Sequence, residues 1–362
     1  MDYDFKVTAA GRVNIIGEHI DYCGGKVFPA ALNLRTAVVA RKTGKNEICL
    51  AATTIADRVT LELNRLNAYR DLKWGDYQAG VAFVMQQDGY NIVGCDLLYD
   101  TDVPFGSGLS SSASIEVATA MTLATFSAEA GGKGVDLVQL AVLGQRSENT
   151  YNGVNCGIMD QFASSLGKND YVPLELGDYA LVIANCNKPR SLQEGKYNER
   201  RAETEEALAA LKKVLPGITC LADITPEQFE KVGKTVLSGK VYDRAKHVVE
   251  ECARVLESAD ALQKGDLKTF GEYLNQSHYS LRDLYEVTGS YLDALSQRER
   301  EFPGCIGARM TGAGFGGCTV ALVEKSKVDE FIKYVDEKYY GDMGVRALFY
   351  TTSVENGAQE LK

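Results

Sequence analysis

Apolar and polar positions alternate along this chain in two different textures. In the first half, residues 5–16 and 34–42 carry β-branched side chains in the alternation of strands, and 95–101 reads as a further strand. Residues 112–130 and 135–149 repeat their apolar positions at helical spacing. From Glu199 to about Val287 amphipathic, charge-rich helical patterns dominate, at 199–214, 226–237 and 241–256, each punctuated by Pro, Gly or Asp. After Pro303 come a glycine-rich turn, a strand at 318–323 and a helix with Val328, Phe331, Ile332 and Val335 on one face. A last strand follows at 345–352. That order matches half of an α+β sandwich. The expectation is an α+β protein of two domains, 1–180 and 181–362, without internal repeats or low-complexity tails.

Composition narrows the classes. A length of 362 residues, 45% apolar and 24% charged, is globular. The formal charge of −10 repels a phosphate backbone, so no nucleic-acid partner is expected. Nine scattered cysteines without a CxxC pair, and only three histidines, argue against a cysteine–histidine zinc site and for reduced thiols. Neither a signal-like N-terminus nor an apolar run of membrane length is present; 27–34 is among the longest. No membrane partner and a cytoplasmic, monomeric protein are expected. The charge leaves a question for any phosphate chemistry: what holds the anion?

The strongest local pattern is Pro104-Phe105-Gly106-Ser107-Gly108-Leu109-Ser110-Ser111-Ser112-Ala113-Ser114, between a strand and a helix. Glycines allow close backbone approach, serines can cap the helix, and the exposed N–H groups of its first turn attract an anion. A plain loop with a serine cap is the simpler alternative, but the strand before and the helix after favour a phosphate cradle that needs no lysine. The lysine-bearing GxxxxGK[ST] loop is absent. Gly312-Ala313-Gly314-Phe315-Gly316-Gly317 formally fits GxGxxG, yet it leads into a strand rather than a helix. A turn packed against another backbone or a ligand is the better reading.

Residues 11–25 crowd Arg12, Glu18, His19 and Asp21 between glycines, a set suited to hydrogen-bonding sugar hydroxyls; a polar turn between strands is the alternative. Leu137, Leu140, Ala141 and Gly144 share one helix face with Glu148. A carboxylate aimed inward needs a cation, and magnesium on phosphate oxygens would serve; a frayed, exposed Glu148 is equally open. Asp160, in a glycine-bounded loop, is a candidate base or a turn former.

Taken together, 11–25, 104–113 and 310–317 resemble, in order and spacing, the three motifs of the galactokinase family within the GHMP small-molecule kinases. Weaker likeness runs through Lys188-Pro189-Arg190, 197–201 and 277–282. The resemblance implies an N-terminal domain like the second domain of ribosomal protein S5, a ferredoxin-like C-terminal domain, and ATP-dependent phosphorylation of D-galactose at its C1 hydroxyl. It implies that Gly106, Ser107, Gly108, Leu109, Ser110, Ser111, Ser112 and Ala113 wrap the ATP phosphates, and that Trp74 and Tyr77 line the adenine pocket. Ser112 and Glu148 would hold Mg²⁺. Glu18, His19, Asp21, Gly157 and Tyr197 would contact the sugar, and Asp160 with Arg12 would act on the C1 hydroxyl. The chain departs from the pattern at Ile20 (usually threonine), at Cys23 (usually asparagine) and in a short stretch between Asp160 and Tyr197. The first two departures bear on hydroxyl selectivity. Alternatives are a kinase for N-acetylgalactosamine, galacturonate or arabinose, a non-catalytic galactose and ATP sensor, or a protein inactivated by the short stretch. Retention of Ser112-Ala113, Glu148 and Asp160 weighs against the sensor.

Overall fold

The computed structural model describes residues 3–72, 74–167, 174–188 and 194–361. Pro189 and Arg190 of the weaker likeness, and parts of the short stretch after Asp160, lie outside the described residues.

Five strands of the first half, β1 (Phe5–Asn14), β2 (Pro29–Lys42), β3 (Glu47–Ala52), β4 (Val59–Glu62) and β5 (Cys95–Thr101), form a sheet with the short last strand β10 (Gln359–Glu360). Its order is β10-β1-β2-β5-β3-β4, antiparallel except where β3 pairs with β5. Helices α1 (Asp76–Gln87), α2 (Ser111–Glu129), α3 (Leu137–Ser147) and α4 (Met159–Leu166) form a layer, with α2 and α4 packed on β1 and β2. The second sheet has the order β7-β8-β6-β9, from β6 (Tyr179–Asn185), β7 (Cys305–Thr311), β8 (Cys318–Glu324) and β9 (Leu348–Thr352). Around it lie α5 (Glu194–Leu211), α6 (Pro226–Val236), α7 (Gly239–Gln263), α8 (Leu267–Ser280), α9 (Gly289–Glu301) and α10 (Val328–Met343).

Two apolar cores result. One joins the first sheet to α1, α2 and α3 through Val38, Leu97, Leu123 and Leu140. The other draws on both halves of the chain: Ile15, Ile16 and Ile20, from the loop after β1, pack with Phe270, Leu274 and Val320. Burying three such side chains contributes several kcal/mol, so the Arg12-to-Asp21 segment is anchored in the second half of the molecule.

Several expectations shift. The pattern at 135–149 is not one helix: Asp136 caps α3 by accepting from the N–H groups of Val138 and Gln139, and the helix opens after Ser147 into a π-type turn over Glu148–Asn152, closed by Gly153 at φ 77°. The pattern at 241–256 extends to Gln263, because Val248, Val255 and Leu262 continue one buried stripe. Strand β7 was not expected. It is rich in small residues because Gly307 packs backbone to backbone on Gly271 of α8, where a Cβ would lie 2.3 Å from the Gly271 carbonyl oxygen.

Candidate active site

The second glycine-rich segment crosses from β5 to α2. The Ser107 hydroxyl donates to the Pro104 carbonyl (2.7 Å), and Gly106, Gly108 and Ser110 take positive φ of 64°, 78° and 59°. Ser110 sits at the N-cap of α2 yet does not cap it. This corrects the serine cap expected from the sequence, and the reason is local: in the left-handed conformation the Ser110 hydroxyl turns away from the helix and donates to Asp160 Oδ2. No N-cap side chain therefore takes up the first-turn N–H groups, which stay available to an anion.

The third segment is a turn against backbone, as its lead into a strand suggests. A Cβ on Gly312 would lie 2.8 Å from the Gly108 carbonyl oxygen, and one on Gly317 would lie 2.8 Å from that of Ser107. Only glycine lets the two turns touch, which fixes the phosphate-side loop on the end of β7.

Beneath these turns opens a cavity of about 420 Å³ lined by Trp74, Tyr77, Gly106, Gly108, Ser110, Ser111 and Ser112, with Arg12, Asp160 and Ala313 also in its wall. The side chains of Ser107, Leu109 and Ala113 are buried below the turn and hold its shape, which leaves their backbone to meet a phosphate. Thr36, Tyr99 and Thr101 also line the cavity. Their strand alternation placed them on a face, but nothing in the sequence marked that face as a wall.

Arg12 and Asp160 form the charged wall. Arg12 Nε donates to Asp160 Oδ1 at 2.8 Å and Nη2 to Oδ2 at 2.7 Å, a bidentate pair, while Nη1 donates to the Gly108 carbonyl. Arg12 is 4% exposed and Asp160 28%, so the carboxylate remains reachable. On the other flank, Glu148 is buried at the start of the π-type turn. Burial raises its pKa, the Asp160 charge adds to that, and hydrogen bonds from the Cys156, Ser112 and Gln161 side chains oppose it. The frayed, exposed Glu148 is thus excluded.

Ser112 and Glu148 meet as hard oxygen donors at the mouth of α2, which fits a magnesium ion that keeps phosphate and water oxygens for its other positions. Among the described residues no group of three or more His, Cys, Asp or Glu could hold a metal alone. Sequence reasoning missed Glu116, buried below Glu148, which accepts from Gln161 Nε2 at 3.0 Å and whose pKa is pushed well up by burial and by Glu148. It was findable as the one charge in the body of α2, four residues after Ser112.

The first segment supplies the remaining groups. Burial, then the Asp160 charge, raises the Asp21 carboxyl to about 6. Gly157 lies directly against it: a Cβ there would be 1.6 Å from Asp21 Oδ2. His19 is buried among Tyr22, Tyr197 and Tyr285, with ring centroids 6.1, 5.6 and 4.9 Å away. Its Nε2 lies 3.2 Å from the Ala313 carbonyl oxygen and its Nδ1 lies 2.9 Å from the Tyr22 hydroxyl. Burial lowers its pKa to about 3, so the ring is neutral, with Nε2 donating and Nδ1 accepting. Glu18 has fixed partners of its own. It accepts from Thr311 Oγ1 (3.0 Å), Gly312 N–H (2.7 Å) and Asn14 Nδ2 (3.0 Å), beside Arg309 at 3.5 Å, and is 2% exposed. It pins the first segment to the third. Ile20 and Cys23, the two departures beside these residues, point into the shared core, with Ile20 fully buried.

A two-sheet α+β scaffold with an uncapped helix N-terminus over a nucleotide-sized cavity defines the GHMP kinase class. The models "GHMP kinases N terminal domain" and "GHMP kinases C terminal" match residues 77–168 and 258–341. The solved mevalonate kinase of Methanococcus jannaschii shares the fold at 18% identity, with a TM-score of 0.67 over 98% of this chain and 99% of that one. A third model, the galactokinase galactose-binding signature, matches residues 2–42. Galactokinases of Clostridium tetani and Enterococcus faecalis are 45% and 42% identical, covering 97% and 98% of this chain and 92% and 94% of theirs. The crystal structure of Lactococcus lactis galactokinase complexed with galactose matches at 38% identity and a TM-score of 0.92, over 99% of this chain and 95% of that one. The chain belongs to the galactokinase family.

Proposed function

We propose that the protein transfers the γ-phosphoryl group of ATP to the C1 hydroxyl of D-galactose, yielding galactose 1-phosphate and ADP. The observation that carries this reading is the bidentate Arg12–Asp160 pair in the wall of the cavity whose roof is the uncapped N-terminus of α2. Family membership, and the named ligand of the Lactococcus lactis structure, support galactose as the sugar.

The residues then divide the work. Trp74 and Tyr77 receive the adenine, and the backbone N–H groups of residues 106–113 receive the phosphates. Ser112 and Glu148 would hold a magnesium ion, which would supply charge neutralisation to the phosphoryl transfer. Glu18, His19, Asp21 and Tyr197, with Gly157 leaving room for the Asp21 carboxylate, hold the sugar. Asp160 accepts the C1 hydroxyl proton as the sugar oxygen bonds to the γ-phosphorus and the bond to the β-phosphate oxygen breaks. Arg12 orients Asp160 and offsets charge on the transferring group. The same reading assigns residues 1–180 and 181–362 to the two GHMP domains, with β6 already in the second sheet.

ADP release measured with ATP, Mg²⁺ and a sugar panel tests this reading. Galactose should be turned over far faster than N-acetylgalactosamine, galacturonate or arabinose, and Asp160→Ala should abolish release. Binding of galactose without ADP release would overturn the kinase reading and leave a sensor.

A further inference from the structure

The chain has three histidines, and the site described above uses only His19. His247, on α7, is fully buried behind the sugar loop. Its Nε2 lies 3.2 Å from the Glu18 carbonyl oxygen and its Nδ1 lies 2.8 Å from Ser280 Oγ. A carbonyl can only accept, so Nε2 carries the hydrogen and Nδ1 accepts from the Ser280 hydroxyl. Burial lowers the His247 pKa to about 4, so the ring stays neutral in this tautomer at neutral pH.

The carbonyl held by His247 belongs to the peptide that joins Glu18 to His19. His19 has φ 62°, a left-handed conformation that strains a non-glycine residue. That φ is the rotation of this peptide plane about the His19 N–Cα bond, so anchoring the Glu18 oxygen opposes relaxation of His19. The grip is double. The His247 ring also packs on Tyr285, centroids 4.5 Å apart, and the Tyr285 hydroxyl lies 2.8 Å from that of Tyr22, which donates to His19 Nδ1. His19 then donates to Ala313, in the cavity wall. His247 itself is outside that wall.

We propose that His247 is a positioning residue for the sugar site: by holding the Glu18–His19 peptide it keeps His19 left-handed and sets His19, Asp21 and Tyr197 for the sugar. The proposal rests on the galactose-kinase reading above. His247→Phe retains an aromatic ring and removes both hydrogen bonds. His247→Gln returns an amide N–H within reach of the Glu18 carbonyl, and Ser280→Ala removes only the hydroxyl that fixes the tautomer. Losing a buried hydrogen bond of this kind should raise the galactose KM of His247→Phe roughly tenfold, with the ATP KM within about twofold. Ser280→Ala should show a smaller rise of the same kind, and His247→Gln should lie close to wild type.

Calorimetric galactose Kd values complete the test. Glycine adopts φ 62° without strain, so the factor that His247→Phe imposes on Kd should shrink several-fold in a His19→Gly background. Galactose and ATP KM values rising together, a glutamine variant as impaired as the phenylalanine variant, or an undiminished factor in the glycine background would overturn the proposal. Should His247→Phe fail to fold, an unchanged galactose KM in Ser280→Ala would overturn it equally. A wild-type protein that turns over no galactose defeats the functional reading instead; an active wild type matched by His247→Phe defeats only this one.

Discussion

Asp160 receives hydrogen bonds from two sides, Arg12 at both oxygens and Ser110 at one, so its carboxylate is held in a single orientation before any sugar arrives. Asp160→Asn conserves shape and removes the charge. Proton acceptance by a placed carboxylate contributes about 10²–10⁴-fold, so kcat should fall by that order while galactose Kd, read by calorimetry, changes only a few-fold. Asp21 carries a different signature. With its carboxyl at about 6 in the folded protein against 3.8 for the free group, it takes up a proton as pH falls through 6 and loses an acceptor for a sugar hydroxyl. The kcat/KM of the wild type should fall below pH 6, and Asp21→Asn should be low and flat across that range. The stability effect has the opposite sign. A carboxyl whose folded pKa is raised favours the fold when protonated, and that contribution is lost as pH rises from 3.8 through 6. Asp21→Asn should therefore melt higher than wild type at pH 8 and close to it at pH 4. Equal shifts at both pH values would refute the assignment. Glu148→Gln should raise the Mg²⁺ concentration needed for half-maximal rate with little change in galactose KM.

Each element that builds the site does so through a contact that its own sequence only half reveals. The strand-to-helix passage from β5 to α2 was legible because glycine, serine and an apolar helix follow one another. The absent cap was not, because Ser110 is claimed by a residue fifty positions away. Glu148 was legible as inward-facing by helical period, although the period breaks at Ser147 and the π-type turn completes the placement. The positions of Glu18, Ile20 and His247 were illegible, since each depends on which distant element meets the first loop, and that contact is set by the shared core. The touching turns offer a test at this scale. Gly312→Ala adds a Cβ 2.8 Å from the Gly108 carbonyl oxygen at φ 86°, which must push the phosphate-side turn aside. ATP affinity, measured with a non-hydrolysable analogue, should drop by about fivefold to a hundredfold at about 1–3 kcal/mol of strain, and galactose affinity should change less. Equal losses for both ligands would show that the turn contact is structural only.

For the whole molecule, the charge of −10 is compatible with a phosphate substrate under the proposed function, in which backbone N–H groups, a magnesium ion and one arginine would meet the anion without a basic surface. The same economy applies to how the two sheets are tied. After β9 completes the second sheet, the chain crosses back and adds β10 to the edge of β1. Glu355 N–H donates to Ala31, Ala358 N–H to Ser165 and Leu361 N–H to Lys6, and Arg35 donates to the carbonyls of Asn356 and Gly357. Ser165 lies in α4, the helix that carries Asp160, so this crossing braces the cavity wall from outside. At about 1 kcal/mol net apiece, these hydrogen bonds reach the lower end of the 5–15 kcal/mol margin of a typical protein. Ending the chain after Val354 would also bare the β1 edge to other chains. The shortened protein should melt well below the 362-residue chain by circular dichroism and aggregate on warming, and galactose with ATP should restore part of the loss by mass action. An unchanged melting midpoint would mean that the crossing is ornamental and that the brace on α4 comes from the first sheet alone.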